Sequence, residues 1–365
     1  MGGQEYNRNE AIVCDSNLTS VAVMAGTPIA TVKSIMGRMG IQYGEGYPKD
    51  VYLTALVDYL HENRELVLMI LPEYILNFLM KIWENDQVRV AEEEWGFAEY
   101  LKILGFIAYR RGNSKTGAPN EIHRVSEAKE EFYFLIKSRS SRMKISRYSG
   151  WEKMVTGLMY YYGFINIVNL HEQFLKVSGQ LVSYDEFLSF IKCRCSLWAF
   201  GEIMRDIARE KDYFSYMETD NPETMLLFIS QHPDIPYKKI SYDDLVYISE
   251  AAGIDNRWPG ISELGTLFVH EMDMDYYKAT VMLRSLIRMI HNGDSFDRLK
   301  EKVSVLPASG GEREKEMMKG LRLLYDHVPL FEYKGYNRHE YNELFYEKQL
   351  KKKSNLFTII DGGCD

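Results

Sequence analysis

"LTSVAVMAGTPIATVKSIMGRMGI", Leu18 to Ile41, decides how the front of this chain is read. It predicts a short helix, a turn at Gly26, Thr27 and Pro28, and a second helix with Thr27 as cap and Pro28 as its first residue. Ala22, Gly26, Val32 and Ile35 stand at the offsets a helix-turn-helix needs: a small residue for close approach, a glycine turn and two apolar locks on the second helix. On that reading Thr27 and Thr31 lie near the DNA end of the recognition helix, and Lys33, Ser34 and Arg38 offer base or phosphate contacts. A helical hairpin packed inside a larger helical domain needs the same small residues for the same steric reason.

Working outward, "YGEGYPKD" is a linker, and three helical stretches follow at Val51–His61, Pro72–Glu84 and Glu92–Leu104, with Gly105 as stop. "GFIAYRR", "GNSKTGAPN" and "EIHRV" then read as strand, loop and strand, and three helices followed by a hairpin is winged-helix order. Arg110, Arg111, Lys115, His123 and Arg124 concentrate positive charge on that hairpin, as a wing tracking phosphates would. A solvated turn or a protein-docking winged helix would look similar. "KSRSSRMKISR", Lys137–Arg147, reads as a linker or basic patch in which Arg139, Arg142 and Lys144 could meet phosphates.

The remainder predicts helices. "VTGLMYYYGFINIVNLHEQFLK" and "SYDEFLSFIKCRCSLWAFGEIMRDI" are amphipathic or buried, Ser241 with Asp244 opens another helix, and helices at Ile261–Asn292 and Glu312–Asp326 follow. The expected fold is therefore mainly α. It consists of a helix-turn-helix-like segment (1–48), a winged-helix-like unit with a small β-hairpin (49–147), a C-terminal helical domain (148–345) and a flexible tail (346–365).

Composition sets limits. At about 100 to 200 residues per domain, the 365 residues imply two or three folding units, and 46% hydrophobic content with 26 Tyr and 17 Phe supports a sizeable core. A formal charge of −8 argues against coating nucleic acid by bulk charge, so polyanion contacts have to be local. Four scattered cysteines suit free thiols in a reducing compartment. Neither a signal segment nor a membrane span is evident, and a cytoplasmic location is expected.

Catalytic and cofactor chemistry finds little footing. Cys193 and Cys195, two apart on a helix, point about 200° apart and not at one metal. His270, Glu271, Asp273 and Asp275 lack the spacing that sets two imidazoles on one face, and Asp273 and Asp275 suit a helix cap. "GNSKTG" lacks the phosphate-loop spacing, and the glycines from Gly37 to Gly46 follow a helix where a dinucleotide fold needs a strand. No enzyme, cofactor or metal is expected.

The stretches "LPEYILNFLMKIWENDQVRVAEEEWGFAEYLKILGFI", "GLMYYYGFINIVNLHEQF", "HPDIPYKKISYDDL" and "VPLFEYKGYNRHEY" resemble bacterial proteins with a Rho-N-like front end or a SEC-C metal-binding tail, over Pro72 to Tyr341. The SEC-C cysteine cluster is missing, so no metal role carries over. The resemblance implies an intracellular, non-enzymatic, helix-rich protein. The leading expectation is a DNA-binding or transcription-associated regulator whose helical region binds a protein or a second copy. The alternative is an adaptor or inhibitor, phage- or mobile-element-encoded, acting on a host protein.

Overall fold

The computed structural model describes residues 10–92, 94–112, 119–196, 200–306 and 311–346. Helices dominate, with seventeen α-helices and seven strands among the described residues, in two compact units. Unit one comprises Met1–Trp151 with Ser183–Phe200, and unit two Glu152–Val182 with Gly201–Asp365. The second half of the chain therefore lends one helix to the first unit, a division that no break in composition announces.

Unit one opens on β1 (Glu10–Ser16), where alternate burial of Ala11 and Val13 marks a strand with one covered face. Thr19 caps α1 (Ser20–Met24) by accepting from the Ala22 amide. In α2 (Ile29–Arg38) the cap position falls on Pro28, which makes no side-chain cap, so the expected Thr27 cap is corrected. The Thr27 amide instead donates to the Met24 carbonyl and its side chain turns inward.

The next helices are α3 (Lys49–Glu62), α4 (Leu66–Ile70) and α5 (Glu73–Glu84), then β2 (Gln87–Arg89), α6 (Glu94–Ile103) and the hairpin β3 (Ile107–Arg110) with β4 (Asn120–Val125). Gly105 stops α6 at a positive φ of 77°, with Ser20 against its backbone. The sheet order is β2-β1-β4-β3. β1 runs parallel to β4 and antiparallel to β2, so the N-terminal strand sits between β2 and the hairpin.

Two expectations are corrected beyond this point. Lys137–Arg147 is not a linker: α7 (Ser126–Lys137) ends at Ser138 and α8 (Arg139–Tyr162) begins at once, with the Ser138 hydroxyl accepting from the Ser141 amide. Ser141, Ile145 and Tyr148 give this basic stretch a buried helical stripe. α8 contributes to unit one up to Trp151 and to unit two beyond it. Gly201–Asp206, expected to continue a helix, is likewise not helical, since it is β6 and forms a hairpin with β7 (Lys211–Tyr216).

In unit two, β5 (Phe164–Asn166) pairs with β7 in the order β5-β7-β6, and α9 (Ile167–Ser178) follows β5. α10 (Tyr184–Cys195) is the helix that belongs to unit one. α11 (Pro222–Gln231), α12 (Tyr242–Glu250), α13 (Ile261–Thr266), a π turn at Leu267–Glu271, α14 (Tyr276–His291), α15 (Phe296–Ser304), α16 (Glu312–His327) and α17 (Arg338–Tyr341) complete it. Ser241 caps α12 and Asp275 caps α14, as their positions before the apolar runs suggested. Leu264, Phe268, Leu286, Ile290, Leu321 and Leu324 are among the side chains at the centre of the helical core. Among the described residues no helix is long and apolar enough to cross a membrane. Of the expected tail, everything past Tyr346 lies outside the described residues.

Candidate functional site

The cations that the sequence set aside for nucleic acid meet four different fates. Arg124 is the most committed: it is 6% exposed, its Nε donates to the Ile82 carbonyl at 3.0 Å, and its Nη2 donates to the Asn85 carbonyl at 2.6 Å. Asp86 and Asp15 pair with the same guanidinium at 2.8 and 3.1 Å. Burial pulls its pKa down, and the hydrogen bonds to Asp86 and Asp15 more than offset this, leaving it above the usual arginine value. This guanidinium clasps the end of α5 from inside the fold, a correction to its expected place on an outward wing.

Arg38 is also spoken for. Its Nη1 donates to the carbonyl of Cys195, the last residue of α10, at 2.7 Å. A cation on the carbonyl end of a helix satisfies an orphan acceptor and offsets the negative end of the helix dipole. Thr27 is buried, Thr31 and Ser34 are half-buried, and Val32, Ile35 and Met36 face the core. The outward face of α2 is Ile29, Ala30, Lys33 and Gly37, and Lys33 Nζ lies 4.8 Å above the Tyr52 ring.

A third group is exposed or half-buried, and paired. Arg110 meets Glu121 at 2.8 Å, directly across the hairpin register. Arg111 meets Glu92 at 3.0 Å while covering the Trp95 ring, and Lys144 meets Glu65 at 2.7 Å. His123 lies 3.6 Å from Glu121, and Lys115 lies outside the described residues. Each exposed pair is worth only about 0 to 1 kcal/mol. Their consequence is for the field: a carboxylate beside each cation cancels its potential within a Debye length, roughly 8 to 10 Å in physiological salt.

Arg139 and Arg142 form the fourth group. Both are exposed, and neither forms an ion pair among the described residues. They open α8 at its corner with α7, and that corner also carries Phe134, 78% exposed, and Met143, 68% exposed. The cations around them are engaged: Lys137 with Glu84 and the Tyr133 hydroxyl, Lys144 with Glu65, and Arg147 with Glu186. Hydrogen bonds from Lys137 and Tyr133 hold the Glu84 carboxyl below its usual range. Two guanidiniums without an ion pair among the described residues, one of them acting on Glu84 at longer range, and two exposed large apolar groups thus lie within ten residues of chain, in a protein that is acidic overall.

Phe134 and Met143 escaped the sequence reading, although helical spacing held a signal for them. In α7 the buried stripe is Ala128, Phe132 and Ile136, and Phe134, two residues from each of the last two, must point away from it. Met143 stands in the same relation to Ser141 and Ile145 in α8. Among the described residues no group of three or more His, Cys, Asp or Glu side chains could hold a metal ion. Cys193 and Cys195 are buried, and desolvation pushes the Cys193 thiol up to about 12.

Compared with known proteins, the chain matches no family model, no curated protein and no solved structure. The resemblance to Rho-N-like and SEC-C-containing proteins accordingly remains an expectation from the sequence.

Proposed function

We propose that the protein is a non-enzymatic protein-binding module whose contact surface is the α7–α8 corner, and that its partner presents an acidic, amphipathic segment. The observation that carries this reading is the coincidence of Phe134 and Met143, large and solvent-facing, with Arg139 and Arg142, exposed cations that form no ion pair among the described residues. Buried aromatic and arginine side chains supply most of the energy in protein interfaces. Opposite charge on the partner adds association rate and specificity. This is the adaptor expectation with a surface attached to it.

DNA binding is the second reading, and the open outward face of α2 with Lys33 favours it. The run of α3, α5 and α6 into the β3–β4 hairpin is compatible with a winged-helix unit, with β1 as an added strand. Against it stand the buried Arg124, the helix-capping Arg38 and the carboxylates beside Arg110, Arg111 and Lys144.

Crosslinking with mass spectrometry on the full-length protein, in the cells that encode it, separates the two. The proposal expects one partner, crosslinked through an acidic segment to Lys129, Lys137 or Lys144. Its yield should fall about tenfold or more in R139E/R142E and in F134S. A partner captured equally by these variants overturns the proposal, as does salt-sensitive retention on duplex DNA that is lost in Lys33→Ala.

A further inference from the structure

In unit two, the C-terminal end of α16, the short α17 and the π turn that begins at Asn342 border an open cleft of about 370 Å³ lined by Asp326, His327, Arg338, His339 and Asn342. We infer that this cleft is a binding site for a small carboxylate that also bears a hydroxyl or ammonium group, with Arg338 taking the carboxylate and Asp326 the donor.

Arg338 is the group that points to a ligand. It is half-buried, yet no carboxylate among the described residues forms an ion pair with it. Its guanidinium lies 3.6 Å above the Tyr325 ring, and its Nη1 donates to the Tyr325 carbonyl at 2.9 Å. Nη2 makes a longer contact, 3.5 Å, to the Asp294 carbonyl. A guanidinium has five N–H donors in a fixed fork that fits a carboxylate, and two carbonyl contacts leave donors over. Burial draws Arg338 below its ordinary pKa, and Glu332 and Asp326, near enough to act on it but not in ion-pair contact, offset this only in part.

The other walls complete a polar site. His327 Nδ1 lies 2.8 Å from the Leu323 carbonyl, which leaves Nε2 as the ring nitrogen available to a ligand. The His339 ring is 6.2 Å from that of His327, and its Nε2 is 3.4 Å from Glu343. Asp326 disfavours a dianion beside it and accepts a hydrogen bond from a donor on the ligand, which selects a hydroxy- or amino-carboxylate over phosphate.

The walls are firmly held. Asn337 and Glu340 form a capping box on α17, Lys238 bonds both Glu340 oxygens at 2.6 and 2.7 Å, and Tyr333 stacks on Tyr341 at 3.9 Å. Val328, Leu330 and Phe331, in the loop between the two helices, are fully buried. A cleft of this size lies within the range of small-ligand pockets, roughly 300 to 1,000 Å³. A prearranged site of this kind spends little binding energy on ordering itself. Sequence alone gave no sign of it, because His327 and the Arg338-His339 pair share no helical period and meet only through the loop between them.

Titration calorimetry on the full-length protein tests the inference, with lactate, glycine, acetate and inorganic phosphate as separate titrants. Lactate or glycine should bind, and acetate should bind about tenfold more weakly because it offers Asp326 no donor. Arg338→Lys keeps the charge and loses the fork, and His327→Gln leaves α17 untouched. Each should weaken binding about tenfold or more while both variants unfold cooperatively like the parent. No heat from lactate or glycine, tighter binding of phosphate than of either, or unchanged binding in both variants overturns the inference.

Discussion

Acidification from pH 7 to pH 5 is expected to weaken the core of unit two by about 2 kcal/mol through one side chain, His291. It is fully buried, stacked on Phe331 with ring centroids 4.8 Å apart and edge-on to Trp258 at 6.0 Å. Nδ1 lies 2.7 Å from the Pro329 carbonyl and so carries the proton of the neutral ring, while Nε2 is buried without a partner among the described residues. Burial lowers the pKa from 6.5 to about 4, and the Pro329 hydrogen bond raises it only in part. The unfolded chain therefore takes up a proton as the pH falls through 6.5, but the folded one does so only near 4. Stability is full above pH 6.5, falls between the two values, and levels off below about 4. Two and a half pH units at about 1.4 kcal/mol each give roughly 3.5 kcal/mol in all, of which about 2 is gone by pH 5. Glu332, whose carboxyl burial raises, titrates with the opposite sign and softens the slope. Urea unfolding followed by circular dichroism, for the parent and for His291→Leu, isolates the term. The variant loses the Pro329 bond and starts about 1 to 3 kcal/mol weaker at pH 7, yet it should lose about 2 kcal/mol less than the parent on moving to pH 5. Parallel losses in the two proteins, or an imidazole that titrates near 6.5 by NMR, would refute the reasoning.

Two further substitutions probe the framework. Gly157→Ala, a change that favours an isolated helix by about 0.5 to 1 kcal/mol, should instead destabilise. Its Cβ would lie 2.4 Å from the Leu245 carbonyl oxygen, where α8 meets α12, and a cost of about 1 to 3 kcal/mol in thermal or urea unfolding is expected. An unchanged midpoint would mean the two helices are not in that contact. Arg124→Met should cost about 2 to 3 kcal/mol by orphaning the Ile82 and Asn85 carbonyls, and high salt should recover little of it because Asp15 and Asp86 are the exposed members of the clasp. A loss under about 0.5 kcal/mol would put Arg124 back on the surface.

Much of the helical framework could be read from periodicity because burial imposes it. Ile75, Leu76, Leu79, Ile82 and Trp83 leave no doubt about α5, and Ser241 and Asp275 sit where side-chain oxygens stop the backbone from extending a helix backwards. The strands were harder. β5 is only three residues, all buried, and offers no alternation to detect, while β6 follows α10 so closely that apolar content ran the two together. β1 earns its place through pairing with Asn120–Val125, more than a hundred residues away, which no local window contains. The membership of α10 in unit one is non-local in the same way, being expressed in contacts such as Arg38 to the Cys195 carbonyl.

Charge was the least legible property, for a physical reason that bears on function. A cation's type is visible in a sequence, but its availability depends on which carboxylate the fold brings beside it. Arg139 and Lys144 stand five residues apart in one basic run and look equivalent, yet only Lys144 finds Glu65, seventy-nine positions earlier. Arg124 and Arg338 both follow or precede a histidine and look alike as charged residues in the sequence. The first is held by two aspartates in direct ion pairs, whereas the second lines a cleft and feels Glu332 and Asp326 only at longer range. Among the cations without an ion pair in the described residues, Arg139 and Arg142 stand beside exposed Phe134 and Met143, and Arg338 lines a cleft between α16 and α17, so it is their surroundings that single them out.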